Sequence, residues 1–431
     1  MSDTMTPTTP APAPEPQRRS LIDRLPSSRK TLLTAGVLFM LLSFVRAVTG
    51  ADALTSSTTV GVAIRATMPI MLAGMAGLWA ERAGIINIGI EGMMILGTWF
   101  GGWAAWQWGP WVGLIMAVVG GMIGGLVHAI AVVRFNVDHI ISGVAINILA
   151  FGAMRYLSEL TFVGEPGGGI SQSPKQSSAI PRIDLPFLAG GWGTPDLLGE
   201  LEDQGWFLIS DLAGVLGGFA RNLSWASVIA LALIPLTAWV LWRTAFGLRV
   251  RSSGEAPYAA ETLGVRIIPL RYTALLISGG FAGLGGGYLA IVSSSFYREG
   301  QTASRGFIGL ATMIFGNWMP SGVLGGASLF GFGEALNLVG PTALPKLFLF
   351  LAIVAGLVCL RSVMRRKTVG AIVQGVLAVA CLIVFLTVDK IPEPLTKSVP
   401  YVLTLVVLAS ATQRLRPPAY DGRPYRPGEE H

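Results

Sequence analysis

A chain of 431 residues that is 52% hydrophobic and only 13% charged cannot cover a water-facing surface of its size, because soluble domains carry about a quarter charged residues. Its apolar residues come in blocks of about 18–25, long enough to cross a hydrocarbon layer of about 30 Å, which excludes a large soluble protein. The net charge of +7 does not indicate nucleic acid, because Lys and Arg cluster at the ends of those blocks, the pattern that orients membrane proteins.

Residues 1–28 are polar and rich in Pro, Thr and Ser, and are expected to form a disordered cytoplasmic tail. They are not a signal peptide, since the first apolar block begins at Thr31 and is long enough to span. Blocks follow at 31–49, 62–80, 84–106, 110–133, 139–157, 223–243, 268–293, 304–318, 321–339, 343–361, 369–388 and 398–412. In lipid a helix satisfies its own backbone, and long runs without alternation argue against a β-barrel. The expectation is an all-α polytopic membrane protein of about 10–12 transmembrane helices, some short or interrupted. Blocks 304–318 and 321–339 are short and Gly-rich and meet at Met319-Pro320, so they read equally as a re-entrant pair or as two tight spans.

Arginine and lysine set the orientation. They gather in the N-tail (Arg18, Arg19, Arg24, Arg29, Lys30), around 243–271, at 361–367 and in the tail 413–431. Counting spans puts these regions on one side, cytoplasmic by the positive-inside rule, with both termini inside. The segment 158–222 then falls outside as a long loop insertion, and Trp99, Trp103, Trp106, Trp108 and Trp111 mark the outer interface. The two cysteines, Cys359 and Cys381, lie in apolar blocks and read as free thiols.

The chain has no GxxxxGK[ST] phosphate loop and no GxSxG, HExxH or CxxC motif, so no catalytic centre, cofactor or metal is expected in it. Two stretches carry information instead. In Glu81-Arg-Ala-Gly84-Ile-Ile-Asn87-Ile-Gly89-Ile-Glu91-Gly92, Asn87 and Glu91 are four apart and share a helix face within an apolar block. A carboxylate there costs about 2.5–3.5 kcal/mol to insert, so it faces a polar path or a partner. The pair lines a pathway or serves as interhelical glue, with Arg65 or His128 as partner. The second stretch, 244–267, carries Gly254, Glu255, Pro257, Ala259, Ala260 and Gly264. Pro257 suits a first helical turn and Gly264 a helix end. This predicts a short cytoplasmic helix able to dock in a partner's cleft, the alternative being a solvated connecting loop.

These residues carry a resemblance over about 60–412. ERAGIINIGIEGMM at 81–94 resembles the nucleoside branch of the ABC importer permeases for simple sugars and nucleosides, related to the branched-chain amino-acid permeases. Ala259, Ala260 and Gly264 resemble the EAAxxxG coupling motif of ABC importers, with Tyr258 replacing its Glu. Ala311 to Trp318 followed by Pro320-x-Gly322-x-x-Gly325, and the block beginning Pro400-Tyr401, are also similar to this family. The insertion near 160–222 and the apolar segment near 369–388 depart from it and leave the helix count open.

The resemblance implies a transmembrane permease domain over 29–412 in a bacterial inner membrane. It implies a separate ATPase subunit that uses ATP, a second permease in a heterodimer, and a solute-binding lipoprotein or periplasmic protein. Solute would pass by alternating access along Asn87, Glu91, Phe315, Asn317 and Trp318. A sugar permease of the same class and an ion-coupled secondary transporter are the alternatives.

Overall fold

The computed structural model describes residues 27–340, 342–366, 368–388, 415–426 and 428. The expected span at 398–412 and nearly all of the N-terminal tail lie outside the described residues.

Helix α1 (Ser27–Thr49) leads to α2 (Ser57–Arg82), whose first turn is capped by the Ser56 side chain accepting from Thr59 N. The chain then breaks over 83–89, so the apolar block at 84–106 becomes a non-helical stretch followed by α3 (Ile90–Trp108). Pro110 opens α4 (Pro110–Ala129), which ends in a π-turn, and α5 (His139–Phe162) is capped by Asp138. The insertion is folded: α6 (Leu197–Asp203), α7 (Ile209–Ala220) and a two-stranded antiparallel sheet pairing β1 (Arg182–Ile183) with β2 (Leu223–Ser224) precede α8 (Trp225–Arg243). Next come α9 (Ala245–Glu255), α10 (Pro257–Thr262), α11 (Ile267–Tyr288), α12 (Arg305–Phe315), α13 (Pro320–Val339), α14 (Leu344–Met364) and α15 (Thr368–Thr387).

Among the described residues, eight helices are long and apolar enough to cross a membrane; α1, α3 and α12 are not among them. This is the all-α polytopic architecture read from the sequence, short and interrupted elements included. The question over 304–339 resolves as a mixture, because α12 has 11 residues and α13 has 20.

α2 is buried along nearly its whole length, with α11, α12 and α13 packed around it. Lipid tails are as apolar as leucine, so such helices associate by close packing of small faces rather than by hydrophobic expulsion. The clearest case is the junction of α3, α4 and α11. There Gly97 abuts the backbone of Gly283, and Gly121 abuts Gly279 and Gly283. At the Trp-rich end, Asp211 of α7 takes Arg46 and the Thr55 hydroxyl, and Glu202 accepts from Ser57 N, binding the insertion to the start of α2.

The orientation is testable by labelling. In a chain with Cys359 and Cys381 replaced by Ser, an impermeant thiol reagent applied outside intact cells is expected to modify Ser177→Cys and spare Leu263→Cys. Ser177 is exposed on the insertion and Leu263 is 84% exposed beyond α10, so both are reachable, whereas Ser253 is fully buried and would report nothing. The opposite labelling pattern would invert the topology.

Candidate functional site

The break at 83–89 leaves backbone groups without helical partners inside the bundle, and such groups must be satisfied by protein. Gly84 makes the turn possible: its φ of +88° belongs to the left-handed region. Ile86 O meets His128 Nε2 at 3.2 Å, and Ile86 N donates to His139 Nδ1 at 3.3 Å. Asn147 of α5 closes the far side, donating to Ile88 O at 3.1 Å and accepting from Gly92 N at 2.7 Å. Side chains of two neighbouring helices therefore hold the broken segment.

Asn87 is fully buried in this break. Its amide donates to Ser278 of α11 at 3.0 Å, while Oδ1 has no hydrogen-bond partner among the described residues. An unpaired buried carbonyl oxygen costs about 1–3 kcal/mol, so this atom is available to a donor that enters.

Glu91 lies in the first turn of α3 and is buried. Its carboxylate accepts from Ser304 N at 3.0 Å and Gly306 N at 2.7 Å, the backbone amides that open α12. The expected partners Arg65 and His128 are thus corrected. The charge is met by a helix N-terminus, whose orphan amides and dipole favour an anion, and His128 instead pairs with Ser142 at 2.9 Å. Only glycine fits at 306, because a Cβ there would sit 2.7 Å from Glu91 Cα.

The depth of this contact follows from packing. α12 runs beside the last part of α2, with Gly309 against Ala73, Gly77 against Met313, and Trp318 reaching Glu81. Its start therefore lies about a dozen residues from the end of α2, roughly 18 Å by helical rise. That is about half of a 30 Å hydrocarbon layer. Two helices, α3 and α12, thus begin inside the bundle and share one carboxylate. Beside them Arg305 is ion-paired to Glu334 of α13 at 2.5 Å.

The five residues expected along a pathway divide into two groups. Asn87 lies in the break and Glu91 at the start of α12. Phe315, Asn317 and Trp318 lie at its far end, about 16 Å away by helical rise. Trp318 is 6% exposed, its indole N–H donates to Glu81 Oε2 at 2.5 Å and its carbonyl accepts from Arg82, so it is committed to packing rather than offered for stacking. Asn317 Oδ1 accepts from Arg416 N at 2.7 Å, and Phe315 packs on the central core.

The expected short helix exists as α10, with Pro257 at its first position. Gly264 follows its end with φ +82°, and Val265 N bonds Ala260 O. Glu255 and Gly254 end α9, where Gly254 fits against Arg82 O. One expectation changes: Ala260 is 5% exposed, covered by Ile267 and Tyr425, so it does not face a partner. Ala259, Thr262, Leu263 and Gly264 form the exposed side.

Sequence reasoning missed Asn147, His139, Ser278 and the Arg305–Glu334 pair. A polar residue inside an apolar block was the available signal for Asn147 and Ser278. It also missed the tail at 415–426, where Tyr420 and Tyr425 stand out among Pro and Arg.

The family described as "Branched-chain amino acid transport system / permease component" matches residues 58–357. The chain belongs to this family. Among curated relatives, the guanosine ABC transporter permease NupQ of Bacillus subtilis is 34% identical over 279 residues, 63% of this chain and 79% of that protein. The nucleoside ABC transporter permease NupC of Lactococcus lactis is 31% identical over 279 residues, 63% of this chain and 79% of that protein. The Haloferax volcanii permease TsgC13, provisionally assigned to glucose, is 32% identical over 277 residues, 64% of this chain and 75% of that protein. No solved structure matches the chain. A permease component of an ABC importer accounts for the helical architecture, and it displaces the ion-coupled alternative.

Proposed function

We propose that this permease moves nucleosides, inward, by alternating access powered by ATP on a separate subunit. The observation that carries the reading is the meeting of the first turn of α3 with the start of α12 at mid-depth, where Glu91 and the Arg305–Glu334 pair gather polar groups next to the break that holds Asn87 Oδ1. Interrupted helices of this kind place solute sites near the bilayer midplane. A nucleoside offers hydroxyls and ring N–H groups that suit an unpaired amide oxygen. The likeness to the guanosine permease supports this class of solute. The complete system takes a second, different permease, an ATPase and an external binding protein, sits in a bacterial inner membrane, and needs no cofactor in this chain. The test is uptake of labelled guanosine and labelled glucose by cells carrying the complete system: guanosine uptake is expected, and glucose uptake without it would transfer the reading to the sugar alternative that TsgC13 keeps in view.

The exposed side of α10 is the surface offered to the ATPase. Leu263→Asp is expected to leave the folded permease in the membrane and lower uptake roughly tenfold, within the range of coupling between sites. Ala260→Asp is expected instead to reduce the amount of folded protein, because it buries a charge against Tyr425. Normal uptake with Leu263→Asp would remove α10 from the coupling role.

A further inference from the structure

Residues 415–426 lie across the arginine-rich end of the bundle, and their contacts reach α2, α9, α10, α11, the broken segment and the turn after α12. Tyr420 N donates to Gly254 O at 2.8 Å and Ala419 N to Glu255 Oε2 at 3.1 Å, at the end of α9. Gly422 N donates to Gly84 O at 3.2 Å, within the broken segment, and the Asp421 carboxyl faces Glu81 at the end of α2. Arg416 N donates to Asn317 in the turn between α12 and α13. The Tyr258 ring lies 5.8 Å from Tyr420 and 5.3 Å from Tyr425, and the Arg271 guanidinium sits 5.3 Å over Tyr425. Tyr425 is buried together with Ala260 and Ile267.

We propose that residues 415–426 act as a strap that carries displacement of α10 to the broken segment and to the turn below α12. The proposal rests on the importer reading and adds the element by which the surface helix reaches the half-helix. Within this region α10 makes its buried contacts with the strap through Tyr258 and Ala260. A docking partner that pushes α10 therefore also pushes Tyr420 and Tyr425. The strap's backbone is hydrogen-bonded to both α9 and the broken segment, so it cannot follow one without loading the other. Burial pushes the Asp421 carboxyl above the ordinary carboxylate range. Tyr420, Asp421 and Tyr425 are positioning residues that act through α10 and the break.

The test uses the complete transporter in proteoliposomes, with Cys359 and Cys381 replaced by Ser, and reads solute moved per ATP hydrolysed. One arm weakens the strap, with a chain ending at residue 414 and, in the full chain, the pair Asp421→Ala and Tyr425→Ala. The other fastens the strap to α10, with Pro424→Cys joined to Glu261→Cys by a flexible bis-maleimide; the neighbouring Tyr425 faces Glu261. Weakening is expected to lower the ratio roughly tenfold while ATP hydrolysis continues, and fastening to leave it within about twofold of wild type. If the shortened chain does not assemble, the full-length double variant decides. An unchanged ratio in the weakened arm overturns the proposal. So does a raised ratio there with transport lost on fastening, which would make the strap a lock. Wild-type complex that hydrolyses ATP without moving any solute would defeat the importer reading itself, a result distinct from either.

Discussion

Glu91→Gln is expected to lower solute uptake at least roughly tenfold without removing the permease from the membrane, a change equivalent to about 1.4 kcal/mol. The carboxylate of Glu91 accepts from both Ser304 N and Gly306 N, so one charge closes the start of α12. Hydrogen bonds to charged groups contribute about 1.5–3 kcal/mol in water-soluble proteins. Polar contacts between membrane helices contribute less, averaging about 0.6 and reaching about 1.7 kcal/mol. The upper part of the lower range is the better guide here, because two bonds and a helix dipole converge on a buried charge. Glutamine keeps one acceptor oxygen and loses the charge, so α12 stays in place but populates misaligned positions. Amide exchange over 304–310 in purified protein is expected to accelerate, because those N–H groups lose their cap. Glu91→Ala removes both bonds and is expected to be worse than Gln. Uptake and exchange that both match wild type would reduce the Glu91–α12 contact to an incidental one.

Gly283→Val is expected to abolish the folded protein. A Cβ at 283 falls inside the van der Waals envelope of Ala117 O and lies 2.8 Å from the Gly121 backbone, while Gly97 presses on Gly283 from α3. Both neighbours are backbone, which cannot rotate aside as a side chain can. Overpacking ordinarily costs about 1–3 kcal/mol, and with helix backbones on two sides the cost lies at or beyond the top of that range. The measurement is the monodisperse fraction after detergent extraction, expected to fall more than about tenfold. Gly152→Ala, on α5 with nothing within 4 Å of its Cβ position, is the control. It is expected to extract like wild type, which separates the close contact from any general demand for glycine. Equal extraction of both variants would show that the α3–α4–α11 junction tolerates separation.

The sequence by itself determined that this is a helical membrane protein, roughly where its spans lie, and that α10 exists. Those features are local. A run of apolar residues long enough to cross lipid has no stable alternative to a helix, and Pro257 and Gly264 punctuate α10 through their own φ preferences. The suspicion that Asn87 and Glu91 matter was legible for a related reason, because a polar group in an apolar block must find a partner wherever the chain goes. Which partner could not be read. Glu91 is answered by the amides of Ser304 and Gly306, which lie more than two hundred residues away and carry no side-chain signal at all. A backbone N–H is present at almost every position, and only the three-dimensional path of the chain makes two of them orphans at the start of a helix. The burial of Ala260 is a further case: the sequence presents it as a small exposed docking residue, and Tyr425, from the far end of the chain, covers it. Tertiary structure alone decided that α12 is a half-length helix starting at mid-depth. Residues 294–304 are held non-helical by contacts such as Ser173 N to Tyr297 O and Glu299 N to Ser171 O, made by an insertion whose sequence gives no sign of them.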